Sequence, residues 1–399
     1  MKKFVLSLIA IFFALSSFAI ERKAPQEEGM DPERLSKVDE IINASIENKE
    51  IPGAVLAVVR NGNLVYLKAY GNKSVDPVEP MTENTVFDLA SCSKVVGTTI
   101  SMMQLLERGC YRLTDRVDMY IPGFEPYVDP ETGEKVHIRI VDLLTHSSGL
   151  PSYVAPEVVI KACGKDDPDS LMSYICKMKR EFRPTTDFQY SCLNFITLQN
   201  ILQNITGEKL CDYAQKNIFD VLGMTHTAYN PKLNNNEQIM KLVAPTEKQP
   251  DGKYLLGEVH DPLARVMNHG NSGNAGVFSN AEDLAILAAA LMNGGEVDGK
   301  RILGKLTVET MIRVPEEVKQ LGRSLGWDNY SPYASNNGNL FHPTMTFGHT
   351  GYTGTSIIID PVSKTSVILL AHRVHPADKG SVVRLRALVA NVVAGSIVE

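Results

Sequence analysis

The sequence contains no block of basic residues and, beyond its first twenty positions, no long hydrophobic run. Its 40 lysines and arginines are outnumbered by 46 acidic residues, which gives a formal net charge of -6 at pH 7. Partners that bind clustered positive charge, such as nucleic acids and anionic membrane surfaces, are therefore poor candidates. Repeats and low-complexity tracts are also missing, and 44% of the residues are apolar. This composition predicts a folded chain with an ample core.

Two kinds of catalytic signature are missing as well. No Gly-x-Ser-x-Gly sequence marks a nucleophile on a strand-to-helix turn. The helical periodicity of the middle of the chain also conflicts with an all-β protease that would use His146 and Ser272. His372 and His375 have no neighbouring acidic or cysteine ligand, so we expect ordinary loop histidines. The sequence therefore predicts no metal centre and no cofactor.

The first twenty residues have a different character. Lys2 and Lys3 precede an apolar stretch at 4–15, and small residues follow up to Ala19. This pattern predicts a cleavable signal peptide at 1–19, because the apolar segment is shorter than the roughly 20 residues that cross a bilayer. We expect cleavage after Ala19 and a periplasmic or secreted mature chain without a stable membrane span. An uncleaved anchor is the alternative.

The most informative local pattern is the pair Ser91 and Lys94. Three residues apart on a helix, they share one face, and the apolar run that follows predicts a helix that ends at Gly109. A serine hydroxyl is a poor nucleophile until a base takes its proton. Lysine can be that base only if burial or nearby positive charge lowers its pKa. The motif alone also fits a surface lysine one turn after a capping or buried serine.

Two further residues suit the same chemistry. Tyr190 precedes a helical apolar pattern that ends before Gly207, and a tyrosine near a cationic lysine loses its proton more easily and can relay it. His349 lies among small residues before a strand-like run, where it can donate a hydrogen bond to a substrate carboxylate. Taken singly, a packed tyrosine and a structural strand histidine are the commoner interpretations.

In this order, three motifs resemble those of the serine hydrolases of the penicillin-binding and class C β-lactamase superfamily. They are Ser91-x-x-Lys94, Tyr190-Ser191-Cys192 and His349-Thr350-Gly351. Stretches at 87–90, 142–151 and 276–284 resemble the same superfamily, and the likeness covers about residues 30–395.

The resemblance implies a role for each motif residue. Ser91 would be the acylated nucleophile, Lys94 and Tyr190 would share the general-base and general-acid work, and His349 would line the pocket. The backbone N–H groups of Ser91 and Tyr352 would form the oxyanion hole, since fixed donors stabilise the charge of a tetrahedral intermediate. Among substrate-binding residues, the interpretation includes Thr350, Gly351, Cys192 and Asn194, although the last two equally fit helix packing.

The chain departs from the β-lactamase pattern at two positions. Cys192 stands where these enzymes usually have asparagine, and His349 where they have lysine, so efficient antibiotic hydrolysis is not expected. The His-Thr-Gly form is more similar to D-alanyl-D-alanine peptidases, D-amino-acid peptidases and esterases. We therefore expect an exported serine hydrolase whose partner is a small-molecule or peptide substrate, either a D-alanyl cell-wall peptide or a small acyl ester. A weak β-lactamase and an inactive binding protein are the alternatives. The oligomeric state stays open.

All six cysteines lie between residues 92 and 211. An exported chain could oxidise them, but the sequence cannot choose among the pairings. A bridge between Cys92 and Cys192, beside the candidate catalytic residues, is one hypothesis. Small buried thiols are the other.

Periodicity predicts matching elements near the two ends of the chain. A helix over about 31–48 precedes two strands, at 54–60 and 64–70, which Asn61-Gly62 joins in a hairpin. Strands are also predicted at 354–359 and 365–371, before a closing helix.

These elements predict an α/β (α+β) fold. An antiparallel sheet, built from about 30–90 and 311–399, would be flanked by N- and C-terminal helices, and about 91–310 would form a mainly helical middle region. The β-lactamase/transpeptidase resemblance implies the same architecture for a hydrolase domain over 20–399. Within the middle region, Ser279 and Glu282 predict a capping box that opens a helix through Leu291.

Overall fold

The computed structural model describes residues 20–234 and 236–398, so the expected signal peptide at 1–19 lies outside the described residues. The strands within the described ranges are β1 (Gly53–Arg60), β2 (Asn63–Val75), β3 (Val78–Pro80), β4 (Phe87–Asp88), β5 (Tyr127–Val128), β6 (Lys135–Val136), β7 (Ala228–Tyr229), β8 (Val277–Ser279), β9 (Glu296–Val297), β10 (Lys300–Arg301), β11 (Phe347–Thr350), β12 (Ser356–Asp360) and β13 (Thr365–Ala371).

Helices fill much of the space between these strands. The α-helices of the same described ranges are α1 (Pro32–Leu35), α2 (Lys37–Glu47), α3 (Ile100–Glu107), α4 (Ile140–Leu144), α5 (Pro156–Cys163), α6 (Pro168–Lys177), α7 (Cys192–Thr206), α8 (Leu210–Ala214), α9 (Asp220–Leu222), α10 (Glu237–Met240), α11 (Pro262–Met267), α12 (Ala281–Met292), α13 (Lys305–Ile312) and α14 (Val383–Gly395). None of the described helices is long and apolar enough to cross a membrane.

The main sheet joins the two ends of the chain. Its strand order is β11-β12-β13-β1-β2-β3, and all of its pairings are antiparallel. The predicted hairpin is present: Asn61 and Gly62 have φ angles of 52° and 85°, as a two-residue turn with positive φ requires. The predicted fold class, an antiparallel sheet completed by both ends and flanked by terminal helices, is confirmed.

Both faces of the sheet are covered. Every residue of β1 is buried, so this strand is a continuous apolar run instead of an alternating one. Leu56 and Val58 join a core with residues of α2 and α14, whereas Val55 and Ala57 join the core of the middle region, which includes α12. The sheet thus lies between the terminal helices and the region that carries the site.

The middle region is mainly helical, but it also contains a small sheet of order β4-β8-β7. These strands have two or three residues, too few for a periodic signal. The predicted capping box before α12 is wrong by one residue, because Asn280 is the N-cap and its side chain accepts from the Asp283 N–H. Ser279 ends β8, and Glu282 pairs with Arg22 at 2.9 Å.

Candidate active site

Ser91 lies on a strained turn after β4. Its neighbour Ala90 has a φ of 46°, which is unusual for a residue other than glycine. The buried carboxylate of Asp88 stabilises this turn, because its Oδ1 accepts the Ala90 N–H at 2.8 Å. A 3₁₀ turn (Ala90–Cys92) and a π-helical segment (Lys94–Thr99) then lead into α3. The predicted helix is present, but its first turns are not α-helical, a feature often found at functional sites.

Lys94 contacts the hydroxyl of Ser91 directly. Its Nζ donates to Ser91 Oγ at 3.0 Å and to the backbone oxygen of Asn274 at 2.9 Å. The Sγ of Cys192 is the third neighbour, at 3.6 Å. The lysine is fully buried, and its hydrogen-bond partners include no carboxylate. This is the contact that a serine nucleophile and its base require.

The side chain of Tyr190 completes this cluster. The ring centroid lies 5.0 Å from Lys94 Nζ, and the hydroxyl is buried without a hydrogen-bond partner among the described residues. Hydrogen bonds of catalytic groups often tighten only when substrate binds. An unpaired buried hydroxyl beside the base is therefore suited to take part in proton transfer.

The charges of Lys94 and Tyr190 depend on each other. Burial disfavours the ammonium of Lys94, but negative charge on Cys192 and then on Tyr190 outweighs it and raises the pKa of Lys94. Burial likewise raises the pKa of Tyr190, and the Lys94 charge opposes that rise. The lowered pKa expected for a lysine base is therefore not found, and the buried ammonium is favoured only while Cys192 or Tyr190 is ionised. When Tyr190 is that neighbour, the pair is either amine with phenol or ammonium with phenolate, and each form leaves one group able to accept the Ser91 proton.

The ring of His146 packs against the ring of Tyr190. Its ring centroid lies 4.5 Å from that of Tyr190, and its Nδ1 accepts the backbone N–H of Ser191 at 3.0 Å. The residue is fully buried and has a φ of 57°. His146 and Ser272 do not form a protease-like pair, because the Oγ of Ser272 bonds to asparagine side chains.

His349, on β11, is held as a neutral ring. Burial, followed by the charges of Arg323 and Lys94, brings the pKa of His349 well below its ordinary value. The backbone oxygen of Thr350 can only accept, so the 2.9 Å contact places the hydrogen on Nδ1. Nε2 is then an acceptor without a partner in the described part of the chain. A charged donor to a carboxylate, the expected role of His349, does not fit this environment.

Arginines supply the positive charge that His349 lacks. A cavity of about 390 Å³ opens at Ser91 and Tyr190 and extends along β11. Among its lining residues are Thr350, Gly351, Tyr352, Arg323, Arg373 and Arg386. Sequence reasoning missed all three arginines, because they come from separate loops and from α14 and share no local motif.

The two expected oxyanion donors lie at this same cavity. Ser91 and Tyr352 both line it, and two threonines hold their segments together. Thr353 Oγ1 donates to the backbone oxygen of Asp88 at 2.8 Å, and Thr355 Oγ1 donates to that of Leu89 at 2.9 Å. The turn after β11 is thereby fixed against the turn that carries Ser91.

The structure places two candidate residues away from the cavity. Asn194 is buried in α7, where its Oδ1 accepts from Ser148 Oγ at 2.6 Å, so its amide is used in packing. Cys192 does not line the cavity and contacts Lys94 instead. The hypothesis of a Cys92–Cys192 bridge is wrong, because both thiols are free and the Sγ of Cys92 is directed at the backbone oxygen of His349.

No group of three His, Cys, Asp or Glu residues within 20–234 and 236–398 is placed to hold a metal ion. The loop at 260–274 contributes a hydrogen-bond acceptor to Lys94. Its Asn274 provides the backbone acceptor for Lys94, while the Nδ2 of the same residue donates to Asp261 Oδ1 at 3.3 Å.

We expect Asp88→Asn to slow acylation of Ser91. The two carboxylate oxygens of Asp88 accept the N–H groups of Ala90 and His260, and an asparagine would turn a donor towards one of them. Loss of a buried hydrogen bond of this kind costs about 1.5–3 kcal/mol. The variant should show a lower rate of acyl-enzyme formation, with KM changed less than kcat. Wild-type kinetics would contradict the positioning role.

Stability should decrease in mild acid because of four buried histidines. Burial lowers the pKa of His146, His349, His372 and His375, that of His372 to about 3. The native chain keeps them neutral, whereas the unfolded chain binds protons below about pH 6.5. Their contribution is complete above that pH and is lost as the pH falls, by about 1.4 kcal/mol per unit for each histidine. Urea unfolding between pH 7.5 and 5.5 measures this slope, and His372→Gln should reduce it by one histidine's share.

The chain is similar in sequence to several known proteins. The Beta-lactamase family model matches residues 38–391. A relative from Escherichia coli (strain K12) named "Putative D-alanyl-D-alanine carboxypeptidase" is 31% identical over 396 residues, covering 93% of this chain and 90% of the relative. An "N-acetylmuramyl-L-alanine amidase" from Bacillus subtilis (strain 168) is 32% identical over 372 residues, covering 86% and 81%.

Solved structures show the same fold. "EstCE1, a hydrolase with promiscuous acyltransferase activity" aligns with a TM-score of 0.72 at 23% identity, over 91% of this chain and 99% of EstCE1. A class C beta lactamase from Rhodobacter sphaeroides aligns with a TM-score of 0.66 at 22% identity, over 88% and 97% of the two chains. Since the family match extends over most of the sequence and the fold agrees, the chain belongs to the beta-lactamase family, the serine hydrolases of the beta-lactamase and penicillin-binding type.

Proposed function

We propose that the chain is an exported hydrolase that removes the C-terminal residue from D-alanyl peptides through an acyl-enzyme on Ser91. The observation that carries this proposal is the direct contact of Lys94 Nζ with Ser91 Oγ at the mouth of a cavity lined by arginines. The name of the Escherichia coli relative supports the choice of substrate. A free C-terminal carboxylate is the kind of group that arginine binds well.

In the proposed reaction, Ser91 Oγ attacks the carbonyl carbon of the terminal peptide bond. Its proton passes to the unprotonated member of the Lys94–Tyr190 pair, and the backbone N–H groups of Ser91 and Tyr352 stabilise the oxyanion. When the bond breaks, the same pair returns the proton to the departing amine. Water, deprotonated by the pair, then attacks the acyl-enzyme carbonyl. The ester bond to Ser91 Oγ breaks, the pair returns the proton to that oxygen, and the shortened peptide leaves.

Small acyl esters are the second candidate class of substrate. The observation in their favour is that the cavity arginines already have partners: Arg323 pairs with Asp328, and Arg373 pairs with Asp378. Arg386 donates to the backbone oxygens of Gly351 and Thr355. An ester substrate needs no charged partner, whereas a terminal carboxylate would have to share these groups.

Release of free D-alanine distinguishes the two candidates. The purified chain is incubated with an N-acylated tripeptide that ends in D-alanyl-D-alanine, with the C-terminal amide of the same peptide, and with a matched ester. We expect cleavage of the free acid at least about tenfold faster than cleavage of the amide, since a hydrogen bond to a charged carboxylate contributes about 1.5–3 kcal/mol and the amide carries no charge. Turnover of the ester alone would contradict the peptidase proposal and favour an esterase.

A further inference from the structure

A second cavity adjoins the active-site cavity. It has a volume of about 470 Å³ and lies between the segment that follows α2 and the loop after β13. Arg373 and Gly380 line both cavities, so the second begins where the first ends. Ile46, Pro52 and Val75 give it an apolar wall.

The opposite end of the active-site cavity is closed. There Asp328 pairs with Gly348 on the outer edge of β11, through N–H to oxygen bonds of 3.0 and 2.9 Å in both directions. Asp328 is also fixed by Arg323 at 3.2 Å. A peptide chain therefore cannot continue along this edge past Thr350, and the direction left for a long substrate runs towards Arg373.

Basic residues outnumber acidic ones along the second cavity. Lys49, Lys379 and Arg373 line it, and Arg373 is already paired with Asp378. The one lining carboxylate, Glu50, accepts a hydrogen bond from Ser45. Neither Lys49 nor Lys379 forms an ion pair with an acidic residue described by the structure. The φ of 59° at Lys49 sets a sharp turn directly after α2, at the rim. Because Lys49 and Lys379 are exposed and form no ion pair within the described residues, they favour an anionic ligand.

We propose that the second cavity is a subsite for a carboxylate carried on the acyl side of an extended peptide substrate. The inference rests on the proposed function, in which a single terminal residue occupies the closed end as the leaving group. The acyl chain then passes Arg373, lies against the apolar wall, and brings its carboxylate to Lys49 and Lys379. A chain that is neutral at this position lacks the two ion pairs and binds more weakly.

A binding comparison tests the subsite without requiring turnover. The Ser91→Ala chain is titrated calorimetrically with N-glutaryl-glycyl-D-alanyl-D-alanine and with the same peptide whose glutaryl carboxylate is a carboxamide. Since exposed ion pairs contribute about 0.5 kcal/mol each, the two pairs should make the carboxylate peptide bind about fivefold more tightly. Added salt should weaken this preference.

Two double variants locate the effect. Lys49→Gln/Lys379→Gln should abolish the preference, whereas Lys161→Gln/Lys319→Gln, the same charge change at exposed lysines of other segments, should keep it. Equal affinities for the two peptides, or a preference that survives Lys49→Gln/Lys379→Gln, would overturn the subsite. Failure of wild-type protein to release D-alanine from either peptide would instead contradict the proposed function, and the binding comparison would still decide on the subsite.

Discussion

Ser91→Ala is expected to lower turnover of every acyl substrate by about 10⁴-fold or more, because the chain loses the oxygen that forms the acyl bond. The residual rate would come from substrate binding and the oxyanion donors alone. Steady-state release of nitrophenol from an activated ester, or of D-alanine from a peptide, measures this loss. KM should change little, since the hydroxyl contributes chiefly to the transition state.

The matched control for this variant is Ser101→Ala. Ser101 lies in α3 of the same helical segment, and its hydroxyl donates only to the backbone oxygen of Gly97 within the helix. Losing such a bond leaves the Ser91–Lys94 contact intact, so activity should stay near that of the wild type. A Ser91→Ala chain that retains wild-type turnover would show that the chemistry occurs elsewhere.

Lys94→Met should have the second-largest effect, a loss of about 10³-fold in kcat, because general acid–base groups contribute about 10²–10⁴-fold. Methionine is apolar, of similar length and suited to a buried position, so the fold should persist. The acceptor oxygen of Asn274 would lose its 2.9 Å partner, and the midpoint of thermal unfolding reports the stability cost separately.

The pH profile of Lys94→Met carries the sharper information. In the wild type, kcat/KM should rise with pH as the Lys94–Tyr190 pair loses a proton. Without the amine, the Lys94 charge no longer opposes burial, which raises the pKa of the Tyr190 phenol, so the rise should move to higher pH. A variant with wild-type kcat and an unchanged profile would exclude Lys94 from proton transfer.

Local sequence signals predicted the elements that depend on local physics. The hairpin at Asn61-Gly62 follows from the conformations that those two residues tolerate, and the helix after Lys94 ends where Gly109 adopts a φ of 72°. The three motifs around Ser91, Tyr190 and His349 are also brought to one cavity, because the sheet joins the C-terminal strands to the N-terminal hairpin.

Other features depend on contacts that no local pattern encodes. The arginines of the cavity are scattered through the last quarter of the sequence, and they come together only in the folded chain, where Arg386 of α14 donates to the backbone oxygens of Gly351 and Thr355 after β11. The neutral state of His349 reflects its burial and then the charges of Arg323 and Lys94, which lie far from it in sequence. Asn194 follows Tyr190 closely along the chain, yet the helix turns its amide towards Ser148.

The central claim is tested most directly by the mass of the chain during reaction with a compound whose acyl group leaves the enzyme slowly. The purified protein is mixed with a penicillin, quenched in acid and digested, and the modified peptide is sequenced by mass spectrometry. We predict an increase equal to the mass of one penicillin, located on Ser91 and absent from Ser91→Ala. A modification that persists in Ser91→Ala, or a wild-type chain that stays unmodified by penicillin and by an activated ester under turnover, would contradict an acyl-enzyme on Ser91.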